Sequence, residues 1–338
     1  MGLTLIVLLV LVLPFCVKKI EHNLEVFLFV MGVAAALVSR QMNWHLVGEA
    51  FREPILISAA VMVFGLLFKC LRQYLDRGVQ WILTKISVPI FVFLLVILLG
   101  LASSVITAII AALVLVEIVA MLPLDKKFET QLVIIACFSI GLGAALTPIG
   151  EPLATIAIAK LKSWPEVDFW FLARLLGWEV LGGVVVLALF SLFLHGHKES
   201  HGLSTTHREE SYGEIAWRAG KVYLFVMALI FLGQGFKPVI DLYVAPLSGD
   251  VLYWINTISA VLDNATLTAA EVTPAMNPMQ VKKLLMGLLL AGGMLIPGNI
   301  PNIIAASKLQ IKSKEWARLG LPLGLVLMLV FFFLLEME

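Results

Sequence analysis

"SAVLDNATLTAAEV", residues 259–272, sets Asp263 and Asn264 side by side in one of the most apolar stretches of the chain, with Thr266 and Thr268 close behind. The run before it and the alanine-rich run after it both read as helix. The whole stretch, about 250–277, is too long for one bilayer crossing and polar at its centre. It reads as a re-entrant hairpin, two half-helices that enter and leave the membrane by the same side. Backbone that is not helical survives at that depth only where it is buried in protein or lines a cavity.

The rest of the chain sets the solvent. Of 338 residues, 61% are hydrophobic and 14% charged, and mean hydropathy is +1.00. Soluble domains carry roughly 25% charged residues. Runs such as "FVFLLVILLGLA" (91–102) do not alternate, which excludes a membrane β-barrel. The fold class is therefore an all-α polytopic membrane protein in contact with the lipid bilayer. About eight spanning helices are expected near 2–17, 24–38, 54–68, 128–161, 168–195, 215–236, 281–310 and 316–335. Two re-entrant hairpins, at 250–277 and about 88–122, complete the set. A net charge of +1 gives no reason to expect a nucleic-acid partner. Cys16, Cys70 and Cys137 are spaced for neither a disulfide framework nor a metal motif. The opening "MGLTLIVLLVLVLPFC" lacks a basic start and a cleavage site, so it reads as a retained helix.

A hydrophilic loop at 196–214 divides the chain. Residues 1–53 supply two N-terminal helices, 54–195 a first repeat, and 215–338 a second. Each repeat runs through a crossing, an amphipathic stretch ("LRQYLDRGVQWILTK", then "KPVIDLYVAPL"), a hairpin, an interrupted helix and a crossing. "LTPIGEPLATIAIAKL" and "LIPGNIPNIIAASKL" match in Pro-x-x-x-Pro with an internal Gly, as Pro148/Pro152 and Pro297/Pro301. Ser103-x-Val105-x-Thr107 aligns with Ser259-x-Val261-x-Asp263. With the N-terminus outside, sixteen of the 24 Lys and Arg fall inside and eight outside, as the positive-inside rule asks. The hairpins then open from opposite faces, which makes the repeat inverted. The loop histidines at 195, 197, 201 and 207 are separated by Gly196 and Gly202 and read as a solvated segment rather than a metal site.

Charges inside a bilayer cost about 2.5–3.5 kcal/mol on insertion scales, so intramembrane acids are functional candidates. Glu117, Glu151, Glu179, Asp263 and Glu271 qualify, and no Lys or Arg is expected deep enough to pair with them. Their neutralising charge would come from outside the protein, as a cation or a proton. The prolines remove amide donors and Gly150 and Gly298 loosen the backbone, freeing carbonyl oxygens near the bilayer centre, with Glu151 and Asn299 at the two breaks. An oxygen-only set suits sodium. The ordinary readings stand beside these. Ser103, Ser104 and Thr107 bond back to helix carbonyls equally well. Glu117 has a place near a helix end, and Glu179 has Arg174 nearby. Glu117, Glu271 and Asn302 are secondary candidates.

In this combination of hairpin, interrupted helix and inverted repeat, the chain resembles the ion transporter superfamily. That group includes NhaD-type sodium/proton antiporters, ArsB-type arsenite permeases, and sodium-coupled dicarboxylate and citrate carriers. "SAVLDNATLTAA" is similar to the Ser-Ala-x-x-Asp-Asn hairpin tip of the antiporter and permease branch. "GLGAALTPIGEP" (141–152) and "AGGMLIPGNIPN" (291–302) resemble the superfamily's paired Gly-rich breaks. The likeness runs from about residue 54 onward and is strongest to a small prokaryotic branch of cation transporters. It implies that Asp263 and Asn264 bind or gate the ion, and that Thr147, Gly150, Glu151, Gly298 and Asn299 complete the sites. It also implies a homodimer and an elevator-like motion. One departure stands out: the first hairpin carries "SSVITA" (103–108), with Thr107 and Ala108 where relatives place Asp-Asn or Ser-Asn-Thr.

The expected function is a secondary transporter, not an enzyme, working by alternating access in the inner membrane of a prokaryote. It would exchange Na+ for H+ without a cofactor, its partners being small inorganic ions. An anion carrier of the carboxylate or arsenite kind would call for an embedded Arg or Lys, or paired Ser-Asn-Thr tips. An intramembrane aspartyl protease using Asp263 and Glu151 would call for a Gly-x-Gly-Asp context, which the chain lacks.

Overall fold

The structure, a computed structural model, describes residues 2–17, 19–20, 23–122, 124–194, 211–244 and 247–337. Most of the hydrophilic loop, including all four of its histidines, lies outside the described residues. Among those described, every regular element is helical. Two short helices, α1 (Gly2–Cys16) and α2 (Leu24–Val38), come first. They are followed by α3 (Trp44–Leu83), a single helix of 40 residues. The expected separate crossing and amphipathic stretch are thus one continuous element. Gly65 and Gly78 weaken a helix without ending it, and no proline follows Pro54 before residue 89. At 1.5 Å per residue α3 is about 60 Å long, roughly twice a hydrocarbon core. Only Trp44–Leu71 has the hydropathy of a span.

The first hairpin region consists of α4 (Val88–Ile106) and α5 (Ala108–Met121), joined at Thr107. The first interrupted helix is α6 (Lys126–Ala144) and α7 (Pro152–Lys160), with residues 145–151 between them. Next come α8 (Phe171–Leu192) and α9 (Tyr212–Val239), which runs on into a π-helical turn, Ile240–Val244. The second hairpin region is α10 (Gly249–Ile255), a 3₁₀ turn (Asn256–Ala260) and α11 (Asn264–Glu271). The second interrupted helix is α12 (Pro278–Gly292), a 3₁₀ turn at Ile296–Gly298 and α13 (Ile300–Leu309). The last helix is α14 (Ser313–Glu336).

Six of these helices are long and apolar enough to cross a membrane: α3, α4, α6, α8, α9 and α14. The sequence suggested eight spans. The difference has three causes. The α12–α13 pair is split by its break, α1 and α2 have 15 residues each, and α4 has 19 rather than the length of a half-helix. No proline or polar group interrupts α4 before Ser103, so its arm propagates to full length.

Side-chain contacts fix the directions. Ser139 Oγ donates to the Val96 carbonyl at 3.0 Å, Ser103 Oγ to that of Ile140 at 2.9 Å, and Thr147 Oγ1 to that of Ser104. These contacts set α4 beside α6, pointing the same way. They come so close that a Cβ on Gly143 would run into the Gly100 carbonyl. Small residues give this proximity, which drives helix association in lipid, where hydrophobic burial between helices offers little. Likewise, Ser259 Oγ donates to the Leu288 carbonyl at 3.2 Å, and Gly249 lies against Gln280. The α10 arm thus runs alongside α12.

The two interrupted helices run in opposite directions. Lys126 at the start of α6 donates to the Leu309 carbonyl at the end of α13. Trp164, just past α7, donates from Nε1 to the Pro274 carbonyl, just before α12, at 3.0 Å. The second arms cross over: α5 packs on α13, and α11 on α7. Most residues of α6 and α12 are buried. By contrast α3, α8 and α14 present Leu56, Val63, Val186, Leu189, Val326 and Phe333 outward.

Candidate functional site

Both tips and both breaks converge on one cavity of about 400 Å³. Thr107 and Ala108 come from the first tip, Asp263 and Asn264 from the second. Pro148, Gly150, Glu151 and Pro152 line it from the first break, Asn299, Ile300 and Pro301 from the second. No Lys, Arg or His is among the lining residues.

Asp263 sits at the N-cap of α11. Its Oδ2 accepts from the Thr266 amide at 2.9 Å and from Thr266 Oγ1 at 3.1 Å. An Asp cap is worth typically about 1 kcal/mol. The cap uses one carboxylate oxygen, and the half-buried side chain still faces the cavity. Glu151 is buried, and its Oε1 has no hydrogen-bond partner among the described residues.

The remaining candidates divide. Gly150 lies at the cavity wall, where its carbonyl accepts from the Ala108 amide at 2.9 Å and a Cβ would strike the Ala144 carbonyl. Asn299 also lines it, with its amide against Gly141. Asn264 reaches the cavity, but its Oδ1 accepts from Ser259 Oγ and its amide abuts Gly292, so the side chain locks the second tip onto α12. Thr266 orients Asp263 and packs on Gly233. Thr147, Ser103 and Gly298 stand behind the wall: Thr147 and Ser103 tie α4 to α6, and Gly298 packs against the Gly292 and Ser259 carbonyls. Ser103 also bonds back to Gly100 at 2.6 Å, and Ser104 to Leu101 at 2.7 Å, the ordinary reading of both. Pro297 does not line this cavity. Asn302 Nδ2 donates to the Gly292 and Leu295 carbonyls at 2.9 Å each, closing the second break from behind.

Two acids expected to lack a basic partner have one. Glu117 pairs with Lys308 at 2.9 Å, and Glu179 with Lys282 at 2.6 Å. Both lysines stand near helix ends in the sequence, and the antiparallel packing brings them inward. Arg174, the nearby residue that the ordinary reading offered to Glu179, instead grips Asp168 at 2.9 Å, and its hydrogen bonds hold that exposed carboxyl below the ordinary range. One arginine is buried after all: Arg218 on α9 lies beside Gly65 of α3, away from the cavity.

The first tip has a feature hidden in the sequence. Thr107 adopts φ 75° and ψ 149°, a left-handed region that favours glycine and is strained for a β-branched residue.

Six helices long and apolar enough to cross a membrane, the buried α6 among them, define a multi-pass helical membrane protein. The chain belongs to the DUF1646 family, described as proteins of unknown function, over residues 1–337. Comparison with curated proteins found no match.

Proposed function

We propose that this protein is a secondary transporter that exchanges sodium for protons. The observation that carries the reading is the cavity itself: two hairpin tips and two helix breaks meet there around Asp263 and Glu151, with no basic residue in the lining. The ionisable groups of its lining, Asp263 and Glu151, are both acids, which when ionised attract a cation and repel an anion. That favours the cation reading over a carboxylate or arsenite carrier, for Arg218 lies elsewhere. Broken helices commonly expose carbonyl oxygens and helix ends to ions near the bilayer centre. Here the breaks add carbonyls, and Asp263 and Glu151 add carboxylates that alternate between proton and cation.

The contact directions support an inverted repeat. Each α4- or α10-type arm runs with the interrupted helix of its own half, and the two interrupted helices are antiparallel. In that arrangement the hairpins enter from opposite faces, and the cavity lies where access alternates. Protein reconstituted in liposomes with a pH-reporting dye tests the reading by scanning Na+, Li+, K+ and carboxylate or arsenite anions. A sodium-driven proton flux is expected. Transport of an anion with no cation dependence would replace the proposal with its alternative.

A further inference from the structure

The second hairpin holds a carboxylate that the cavity does not use. Glu271, in the last turn of α11, and Asn256, at the start of the 3₁₀ turn in the other arm, are both 0% exposed. Asn256 Nδ2 donates to Glu271 Oε2 at 2.9 Å and so joins the two arms. Each group keeps one oxygen, Glu271 Oε1 and Asn256 Oδ1, without a hydrogen-bond partner among the described residues.

With the carboxyl ionised, both of those oxygens are acceptors and nothing bridges them. A buried charge needs a partner and further hydrogen bonds, and one amide donor is a poor substitute for water. The elements packed on α11 are α7, α9 with its π turn, and α12. Their basic groups are Lys160, Arg218, Lys221, Lys237, Lys282 and Lys283; Arg218 lies beside Gly65 of α3, and Lys221 pairs with Glu25 at 3.1 Å. Lys282 is paired with Glu179 at 2.6 Å, and Lys283 with Asp250 at 2.6 Å and Glu336 at 2.5 Å. Lys160 is exposed at the end of α7, as is Tyr243 on the π turn. The acids at the opposite ends of α7 and α11, Glu151 and Asp263, belong to the cavity. A metal ion is a poor fit, since only two side-chain oxygens are on offer and sodium needs more.

A single proton meets the requirement. Bound to Oε1, it converts that oxygen into a donor that faces an amide with a spare acceptor. Carboxylic acid and primary amide then exchange two hydrogen bonds in a ring. We propose that Glu271 and Asn256 form a proton-binding clasp between the arms of the second hairpin. The proton comes from water and forms one O–H bond to Oε1, with no other bond made or broken. Its release restores two opposed acceptors and loosens the base of the hairpin. Within the exchange cycle, which rests on the antiport reading, the clasp takes up a proton at a place distinct from the cation cavity.

Infrared difference spectra and hydrogen exchange of the full-length protein in detergent, without any transport assay, test the clasp. Glu271→Gln supplies an N–H where the acid supplies O–H, so both bonds to Asn256 persist. The wild type is expected to show one carboxylic-acid C=O band that Glu271→Gln removes and Asn256→Ser shifts. Hydroxide quickens amide exchange in every variant alike, so the comparison is made at equal pH: once the band fades, residues 249–272 should exchange about tenfold faster in the wild type than in Glu271→Gln. Loss of a carboxylate band instead of an acid band in Glu271→Gln, at every pH at which the protein stays folded, overturns the proposal. So does an Asn256→Ser spectrum identical to wild type, which needs no Glu271 variant to fold. These readouts are independent of sodium, so a failed transport assay leaves them intact.

Discussion

The two hairpin tips use one backbone device for two different purposes. Ser103 and Ser259 each stand four residues before the tip and bond to the Ile140 and Leu288 carbonyls, both eleven residues ahead of Glu151 and Asn299. Thr107 and Asp263 each accept, through a side-chain oxygen, from the amide three residues on. Glu151 and Asn299 share an extended conformation, φ −154° and −153°. The frame is duplicated, but the chemistry is not. The first tip is a neutral, strained threonine and the second a relaxed aspartate, while the first break carries an acid and the second an amide. Each matched pair therefore contributes one carboxylate, and both carboxylates reach the same cavity. Acids at all four positions would crowd like charges at one site.

The largest effect that would break this comparison is Asp263→Asn. Asparagine caps a helix about as well as aspartate, so thermal stability in detergent should change by less than about 0.5 kcal/mol. Sodium-driven proton flux should fall to the background of empty liposomes, because an amide cannot trade a proton for a cation. Glu151→Gln comes next. Apparent sodium affinity should weaken about tenfold, and the pH profile of transport should flatten; superimposable wild-type and mutant curves would make Glu151 a bystander. Thr107→Gly sharpens the contrast between the tips. Relief of about 1–3 kcal/mol of backbone strain is partly offset by about 0.5–1 kcal/mol of extra chain entropy. The variant should therefore unfold at a higher temperature, and a lower one would mean the strain is absent.

Much of this arrangement is legible in the residues themselves. Breaks at 145–151 and 293–299 follow from Pro148, Pro152, Pro297 and Pro301, and polar residues within an apolar run mark the second tip. Other features need three dimensions. The Glu117–Lys308 and Glu179–Lys282 pairs join residues far apart in sequence, through packing that no local pattern encodes. Asn264 looks like an ion ligand by its neighbour, yet Ser259 occupies its oxygen. The length of α3 was hidden because a change from lipid-facing to amphipathic composition looks like a boundary, while the backbone has no reason to stop there. Thr107's conformation is likewise invisible, since threonine ordinarily argues against a left-handed tip.

Proton release on sodium binding tests the proposed sharing of one site by cation and proton most directly. Purified protein in weakly buffered detergent solution, titrated with sodium chloride against choline chloride, should release protons into a pH dye with saturation. Glu151→Gln should release fewer, and Asp263→Asn none. Equal release from the wild type and both variants, or none from a wild type that demonstrably binds sodium, would contradict competition between the two ions at these carboxylates.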